Sequence, residues 1–340
     1  MKRAMFYKHL AEGKVRCDLC AHHCVISQGS RGVCGVRENQ HGTLYTLVFG
    51  MSIAHHIDPI EKKPLFHFLP GSSTYSIGTV GCNFRCLYCW NYKISQYPSE
   101  NGGNIIGEKL SPEVVAQQAY ENGCRSVSFT YTEPTIFFEY AYEIAVIAKQ
   151  KGIRSVLKTN GYLTKEALQA FAPLLDAANI DLKGFNDIIH RKVVGAKLGP
   201  VLDCIKLMKE LGIWIEISTP IIPRINDSDK ELREIASFIK SVDPEIPWHV
   251  SRFYPNYKMS MTQPTPIKKL YHAKEIGLEE GLHYVYIGHV PGEGEDTYCH
   301  NCGRLVIQRS GYMVIKSKIA MEANIARCPN CKVKIPGVWA

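Results

Sequence analysis

Residues 74–91 read TYSIGTVGCNFRCLYCWN, a short strand that runs directly into a cysteine-rich loop. The β-branched first half predicts a strand over Thr74–Val80. The second half spaces Cys82, Cys86 and Cys89 as C-x3-C-x2-C. Three thiolates fit three irons of a cubane cluster and leave the fourth iron open to a small molecule. A structural zinc loop is the alternative, although zinc normally takes four ligands and no fourth Cys or His lies nearby in the sequence.

Beyond this loop, strands alternate with amphipathic helices. The other predicted strands are Arg125–Tyr131, Arg154–Thr159, Ala178–Leu182, Trp214–Thr219, His249–Tyr254 and Tyr284–His289. The predicted helices are Ser111–Gly123, Thr135–Gly152, Thr164–Leu175, Val201–Gly212, Asp229–Val242 and Ile267–Gly281. This alternation indicates a parallel sheet, so we predict an α/β fold with a partial or full (β/α) barrel over residues 75–290. An open doubly wound sheet is the alternative.

The N-terminal flank, residues 1–74, does not follow the strand–helix pattern and is rich in cysteine. Its four thiols lie within eighteen residues, at Cys17, Cys20, Cys24 and Cys34. Four internal ligands suit either tetrahedral zinc or an auxiliary iron–sulfur cluster, and the spacing alone does not separate the two. A closed ligand set favours a structural or electron-relay role over substrate binding.

The C-terminal flank, residues 291–340, carries two C-x2-C pairs. These are Cys299 with Cys302 and Cys328 with Cys331, separated by a segment that reads as a β-hairpin. Paired C-x2-C knuckles on hairpins are typical of zinc ribbons, so we predict a zinc-ribbon-like domain. Such a ribbon folds a short segment that lacks its own core, and some ribbons bind RNA or a protein partner.

Composition narrows the class of protein. Of 340 residues, 45% are hydrophobic and 21% charged, as in ordinary globular proteins, and 40 Lys and Arg against 32 Asp and Glu give a net charge of +8. This positive net charge is compatible with an acidic partner but does not by itself indicate binding to nucleic acid. No stretch approaches the ~20 apolar residues of a membrane span, and the start lacks a signal peptide. We therefore expect a cytoplasmic protein, and in that reducing compartment the eleven of thirteen cysteines that form tight groups indicate metal sites rather than disulfides.

The cysteine loop, with an aromatic Tyr88 before its last cysteine, resembles the radical S-adenosylmethionine (radical SAM) superfamily. The resemblance covers residues 75–290. It implies an enzyme whose [4Fe-4S] cluster, held by Cys82, Cys86 and Cys89, reductively cleaves S-adenosylmethionine. The product is a 5′-deoxyadenosyl radical that abstracts hydrogen from a substrate. Because cluster potentials extend to about −700 mV, a flavodoxin or ferredoxin is the expected reductant.

Polar residues follow several predicted strands, at the end where barrel active sites lie. S-adenosylmethionine offers an ammonium, a carboxylate, ribose hydroxyls and an adenine edge, and we assign its contacts to Glu133, Asn160, Asp181 and Lys183. Glu133-Pro134 matches the second half of the Gly-Gly-Glu-Pro motif of the glycyl-radical-activating branch, whereas Tyr131 and Thr132 replace its glycines. A simple turn and a solvated ion pair are the alternatives.

The whole chain, including IGHVPG at 287–292 and IPGVW at 335–339, resembles the AmmeMemoRadiSam-system radical SAM enzymes. That resemblance implies association with Memo and AMMECR-type proteins and leaves the substrate open. We therefore expect an activating-enzyme-like oxidoreductase that abstracts hydrogen from an unidentified substrate, with a partner protein as one candidate target. The alternatives are an enzyme that modifies RNA or a small molecule, and a non-catalytic zinc- and cluster-bearing binding or electron-transfer protein.

Overall fold

The computed structural model describes residues 1–323 and 325–340, and an eight-stranded sheet lies at its centre. Seven strands are parallel and follow one another across the sheet in chain order, namely Ser73–Gly78, Ser126–Phe129, Arg154–Thr159, Ala177–Asp181, Trp214–Ile221, Trp248–Arg252 and Val285–Gly288. Ala54–Pro59 pairs antiparallel with the first of them. The two outer strands of this sheet do not pair with each other within the described chain. The predicted α/β fold is therefore confirmed as a partial barrel.

Helices connect successive parallel strands. The longer ones are Pro112–Glu121, Phe138–Gln150, Lys165–Phe171, Asp187–Val194, Gly199–Glu210, Asp229–Val242 and Ile267–Glu279. Ser111, Thr164 and Ser228 each precede a helix and accept a hydrogen bond from one of its first N–H groups, which explains where these helices begin. Shorter turns are α-helical at Tyr92–Ser95 and Tyr97–Glu100, and 3-10 helical at Ala11–Gly13, Ile60–Lys62, Pro134–Phe137, Ala172–Leu174 and Tyr257–Met259.

Both flanks consist of small antiparallel sheets. The N-terminal flank combines Tyr7–His9, Val15–Cys17 and Val25–Ile26 in one sheet, and Lys2–Arg3, Thr43–Thr46 and Arg37–Gln40 in another. Met51–Ser52 pairs with Glu108–Lys109. The C-terminal flank contains Thr297–Tyr298, Leu305–Ser310 and Met313–Ser317, followed by the pair Ala320–Glu322 and Ile325–Arg327. The predicted hairpin is thus present, and the division of the chain near residues 74 and 290 stays a prediction.

The floor of the barrel, at the N-terminal ends of the parallel strands, is closed by residues 60–71. Leu65 and Phe68 are fully buried there in one apolar cluster with Val156 and Ala177. The last part of the chain joins this floor, because Val338 pairs with Phe68 in a parallel bridge. The floor therefore leaves the opposite end, where the strands terminate, as the open face. None of the helices in the described ranges combines the length and apolarity that a bilayer span requires.

Candidate active site at the strand ends

The cysteine loop 81–91 begins where the first parallel strand has ended at the open face. Gly81 has φ +96, and a Cβ there would lie 2.6 Å from Val36 Cγ1 and 2.9 Å from the carbonyl oxygen of Cys34. Only glycine fits this approach between the loop and the N-terminal flank. On its other side, the Arg85 and Leu87 N–H groups donate to carbonyls at the end of helix Asp187–Val194, at 2.8 and 2.9 Å. The loop is therefore held from two sides.

The three thiols of this loop lie close together. Burial raises the pKa of Cys82 well above its ordinary value, and the negative charges of Glu133 and Cys86 raise it further. Burial also raises the pKa of Cys86 to about 12, whereas the Lys183 ammonium lowers it. The Phe84 N–H donates to Cys82 Sγ at 3.3 Å, and Cys89 Sγ lies 3.2 Å from Ser95 Oγ. Buried thiols of this kind become thiolates when a metal offsets the charge.

Glu133 is 1% exposed, and protein donors surround its carboxylate. Oε1 accepts hydrogen bonds from the Thr135 N–H, Thr135 Oγ1 and Thr159 Oγ1, at 3.0, 2.6 and 2.7 Å. Oε2 accepts one, from the Asn160 N–H at 2.7 Å. Glu133 thus joins the ends of two neighbouring strands, and its Oε2 retains acceptor capacity.

Asn160 connects these strand ends to the cysteine loop. Its Nδ2 donates to Asn83 Oδ1 at 2.8 Å, and its Oδ1 accepts from the Tyr162 N–H at 3.2 Å. Asn83 follows Cys82 directly in the chain. Glu133, Asn160 and the cysteine loop therefore form one buried hydrogen-bonded unit. The sequence prediction did not include Asn83 as a site residue, because only its position next to Cys82 in the loop indicated a role.

Asp181 and Lys183 form an ion pair at the end of the next strand, with Oδ2 and Nζ 2.9 Å apart. Lys158 Nζ lies 2.5 Å from the other carboxylate oxygen, so two ammonium groups flank one carboxylate. Burial opposes ionisation of Asp181, but the two lysines hold its pKa well below the usual range. Lys183 also lies 5.9 Å from the centre of the Tyr88 ring, beside the cysteine loop. Glu133, Asn160 and Lys183 thus lie near the cysteine loop, and their role as cofactor contacts stays a prediction. Lys158, which the sequence prediction did not include, binds Asp181.

Comparison with known proteins assigns the family at this point. The family model of the Radical SAM superfamily matches residues 76–239. This range contains the cysteine loop and the four predicted contact residues Glu133, Asn160, Asp181 and Lys183. The chain belongs to the radical SAM superfamily. An uncharacterized protein of Methanocaldococcus jannaschii is 46% identical over 337 residues, which is 98% of this chain and 99% of that protein. The narrower AmmeMemoRadiSam identification stays a prediction.

Two further comparisons concern activating enzymes and solved structures. The pyruvate formate-lyase 1-activating enzyme of Escherichia coli is 26% identical over 165 residues, covering 48% of this chain and 66% of that enzyme. Streptococcus suis SuiB bound to S-adenosylmethionine superposes with a TM-score of 0.51 at 15% identity, over 71% of this chain and 56% of SuiB. A radical SAM methyltransferase of Sphaerobacter thermophilus gives 0.51 at 14% identity, over 70% and 71%. These structures support the partial barrel.

The tyrosine that replaces a glycine of the activating-enzyme motif keeps a glycine-like backbone. Tyr131 has φ 67, a left-handed conformation that is uncommon for a bulky side chain. Its hydroxyl donates to Asp58 Oδ2 at 3.1 Å, and Lys63 Nζ lies 5.2 Å from its ring centre. Strained residues of this kind persist where the surroundings fix them, and they cluster at active sites. Tyr131 thus holds a backbone conformation that glycine adopts more readily.

Aromatic side chains border the open face beside Cys89. Trp90 is 51% exposed and stacks on His289, with ring centres 4.9 Å apart. Tyr254 contacts Trp90 edge-on at 5.8 Å, and the Arg252 guanidinium lies 4.9 Å from the Tyr254 ring centre. The sequence prediction included none of these aromatic residues as site residues.

The C-terminal thiols form a compact set. Their four sulfur atoms all lie within 4.8 Å of one another, with Cys299 to Cys331 at 3.6 Å and Cys302 to Cys328 at 3.7 Å. Zn–S bonds of about 2.3 Å in a tetrahedron place sulfurs about 3.8 Å apart. This is the arrangement of a four-cysteine metal site.

The N-terminal thiols surround a cavity instead. Cys17, Cys20, Cys24 and Cys34 line it together with Arg37 and Asn83, among other residues. The charges of these thiols influence one another in every pairing, which reflects their proximity. Burial raises the pKa of Cys34 to about 11. The set therefore lies against the radical SAM loop, at the open face of the barrel.

Proposed function

We propose that this protein is a radical SAM enzyme that generates a 5′-deoxyadenosyl radical and uses it to abstract hydrogen from a substrate at the open face of the barrel. The observation that carries the proposal is the set of Cys82, Cys86 and Cys89 in one loop, with the Glu133 carboxylate near enough to act on Cys82 and the Lys183 ammonium on Cys86. When bound, a reduced [4Fe-4S] cluster supplies one electron that breaks a carbon–sulfur bond of S-adenosylmethionine, yielding methionine and the radical.

The donor set of the loop supports a cluster. Three thiolates leave one cluster iron for the amino and carboxylate groups of the cofactor. The Phe84 N–H already donates to Cys82 Sγ, and such hydrogen bonds to sulfur tune cluster potential. The backbone anchors on helix Asp187–Val194 fix the loop, so its sulfurs need little reorganisation when the cluster assembles.

The strand-end residues then bind S-adenosylmethionine. Lys183 offers a donor to the carboxylate, and Asp181, kept ionised by its two lysines, accepts from ribose hydroxyls. Glu133 Oε2 and the Asn160 amide face the methionine ammonium and the adenine edge, respectively, in this assignment. The hydrogen bonds of Glu133 to both strand ends hold these groups at fixed separation.

We further propose that the hydrogen donor is a partner protein. Support comes from the relationship to the E. coli pyruvate formate-lyase 1-activating enzyme and from the glycine-like backbone of Tyr131 at the matching motif. Under this hypothesis the enzyme is an activating oxidoreductase, reduced by a flavodoxin or ferredoxin, and Memo or AMMECR-type proteins are its expected associates. Its free thiols favour the cytoplasm. RNA or a small molecule is the second candidate substrate, and the net charge of +8 is compatible with RNA.

The metal of the compact C-terminal site is, in this proposal, zinc. The sulfur separations of 3.6 and 3.7 Å match the tetrahedron that zinc forms with four thiolates. A short segment with few buried residues gains its stability from such an ion. We therefore assign a structural role to Cys299, Cys302, Cys328 and Cys331.

The proposal is tested by comparing wild type with Cys86→Ala after anaerobic purification. With dithionite and S-adenosylmethionine, wild type is expected to form 5′-deoxyadenosine, and the variant to lose this activity by more than about 100-fold because its cluster lacks a ligand. Cys124→Ala, which changes a buried cysteine outside the three groups, is the matched control and should keep the activity. A wild-type protein with a loaded cluster that forms no 5′-deoxyadenosine contradicts the proposal.

A further inference from the structure

The cavity at the N-terminal cysteines is the feature that the proposed reaction does not use. A small cavity is lined by Cys17, Cys20, Cys24 and Cys34. The four C-terminal cysteines instead bring their sulfurs within 4.8 Å of one another. The two sites therefore differ in what they enclose.

The sequence left both zinc and an iron–sulfur cluster open for the N-terminal cysteines, and the distances between the thiols distinguish these two alternatives. Among the described residues, only the C-terminal group brings three or more possible ligand atoms within 4.8 Å of one another. The N-terminal thiols are neighbours but are spread more widely, around the cavity. A single zinc ion requires sulfurs about 3.8 Å apart, whereas a polynuclear cluster holds its ligands around a larger body. The wider arrangement favours the cluster.

Two buried donors without partners line the same cavity. Arg37 Nε and Asn83 Nδ2 make no hydrogen bond in the described structure, although both residues are only 1% exposed. Unpartnered buried N–H groups are costly, so each is expected to find an acceptor in the functional protein. The sulfurs of an anionic cluster provide such acceptors, and the positive charge of Arg37 offsets the negative charge of a cluster.

We propose that Cys17, Cys20, Cys24 and Cys34 hold a second iron–sulfur cluster of the [4Fe-4S] type, hydrogen-bonded by Arg37 and Asn83. Its four protein ligands leave no iron open, so it transfers electrons and does not bind substrate. The site is independent of the proposed reaction, since it depends only on its own ligands and donors.

The position of this site also assigns its role. Asn83 lines the cavity and adjoins Cys82, and His22 Nε2 lies 2.7 Å from the Asn83 carbonyl oxygen. The backbone of Cys34 contacts the loop at Gly81, so the two cysteine groups are immediate neighbours. A low-potential flavodoxin-type donor gives one electron to the second cluster, which passes it to the first without breaking a bond or moving a proton. This relay, unlike the occupancy of the site, rests on the proposed function.

Metal analysis of anaerobically purified wild type tests the occupancy. We expect about eight irons and one zinc per chain, with two reduced-cluster signals in electron paramagnetic resonance. About four irons with about two zincs overturns the proposal, because the N-terminal site would then hold zinc. The result is independent of activity: eight irons without 5′-deoxyadenosine would retain the second cluster and remove the proposed function.

A variant with Cys82→Ala, Cys86→Ala and Cys89→Ala isolates the second site. It is expected to keep about four irons and one of the two signals, whereas a soluble variant without iron contradicts the proposal. Cys124→Ala is again the control and should keep both signals. If the triple variant does not fold, the wild-type iron and zinc contents still decide.

The relay is tested by mixing wild type with reduced flavodoxin, freezing samples at successive times, and recording the electron paramagnetic resonance signals of the two reduced clusters. The second cluster should be reduced first, and the first cluster should follow. Reduction of the first cluster without earlier reduction of the second overturns the relay and leaves the metal assignment intact.

Discussion

The two four-cysteine regions of this molecule have the same ligands in the same number, but they differ in spacing and environment. At the C-terminus the sulfurs are in contact and Cys302 is exposed. At the N-terminus they surround a cavity, and burial raises the pKa of Cys34 to about 11. Ligand identity therefore does not decide the metal by itself. The distance to which the backbone brings the thiols, and the donors beside them, separate zinc from a cluster.

The two regions also attach to opposite ends of the barrel by different interactions. A buried ion pair joins the N-terminal flank to helix Phe138–Gln150, with Arg37 Nη2 and Glu139 Oε1 2.9 Å apart and both side chains 2% exposed. The C-terminal flank is joined to the floor by His67, whose Nδ1 lies 2.7 Å from the Pro336 carbonyl oxygen and whose Nε2 lies 2.6 Å from the Tyr286 hydroxyl. One attachment depends on a permanent charge and the other on a titratable ring.

The largest expected effect comes from removing the N-terminal attachment. Arg37→Ala leaves the Glu139 carboxylate buried without its partner, which costs about 3–5 kcal/mol of unfolding free energy. Urea unfolding of wild type and variant under anaerobic conditions measures the difference. The matched control is Arg233→Ala, because Arg233 pairs with Glu279 and Glu280 at the exposed surface.

An exposed ion pair contributes little to stability, so the control is expected to unfold nearly as wild type does. A loss for Arg37→Ala as small as that for Arg233→Ala would contradict the assignment of the buried pair as the N-terminal attachment.

Acidification is expected to weaken the C-terminal attachment selectively. Burial lowers the pKa of His67 from about 6.5 to about 4, although the Glu216 carboxylate and the Pro336 carbonyl oxygen act to raise it. Between these values the unfolded chain binds a proton that the folded chain does not, so stability falls as pH decreases. From pH 7 to pH 5 the loss attributable to His67 is about 2 kcal/mol.

Hydrogen exchange at pH 7 and pH 5 measures this effect. Residues 332–340 should exchange faster at pH 5, while residues 14–40 should change less. His67→Gln, which does not titrate, should reduce the pH dependence of exchange in the C-terminal segment. Equal acceleration of both segments in wild type would be evidence against a His67-dependent attachment.

The smallest expected effect on catalysis follows loss of the C-terminal metal. Cys302→Ser removes a ligand from the compact site, so bound zinc should fall to near zero and local protection of residues 297–331 should decrease. Formation of 5′-deoxyadenosine should change by less than about two-fold, because this flank packs at the floor, far from the open face. Zinc analysis and the cleavage assay check both results, with Cys124→Ala as control. A parallel loss of zinc and cleavage would contradict a purely structural site.

Local patterns predicted most of the barrel. Each of the seven parallel strands overlaps its predicted range, and Asp229–Val242 is observed with the predicted bounds. Helix Asp187–Val194 was missed although Asn186 caps its start and Gly195, at φ 81, ends it. The strand Ala54–Pro59 was missed because its pairing with Ser73–Gly78 depends on tertiary contacts rather than on its own pattern.

The parts of the site that lie in one short sequence motif were predictable. The parts that depend on contacts between residues far apart in the sequence were not. The C-x3-C-x2-C spacing alone pointed to the cluster loop. In contrast, the contribution of Lys158 depends on Asp181, twenty-three residues later, and the left-handed backbone of Tyr131 contradicts its side-chain preference. The separation of the two four-cysteine sites likewise depends on distances between sulfurs, which sequence spacing does not determine.

The bridge between Phe68 and Val338 sets an order of events during synthesis. The last parallel strand ends at Gly288, and the floor is complete only after fifty further residues, the last of which is Val338. At about 5–20 residues per second, the ribosome needs about 3–10 s to add them. During that interval the nascent barrel has all its strands but an unfinished floor. The emerging chain therefore carries every strand of the barrel for seconds before Phe68 gains its backbone partner, Val338.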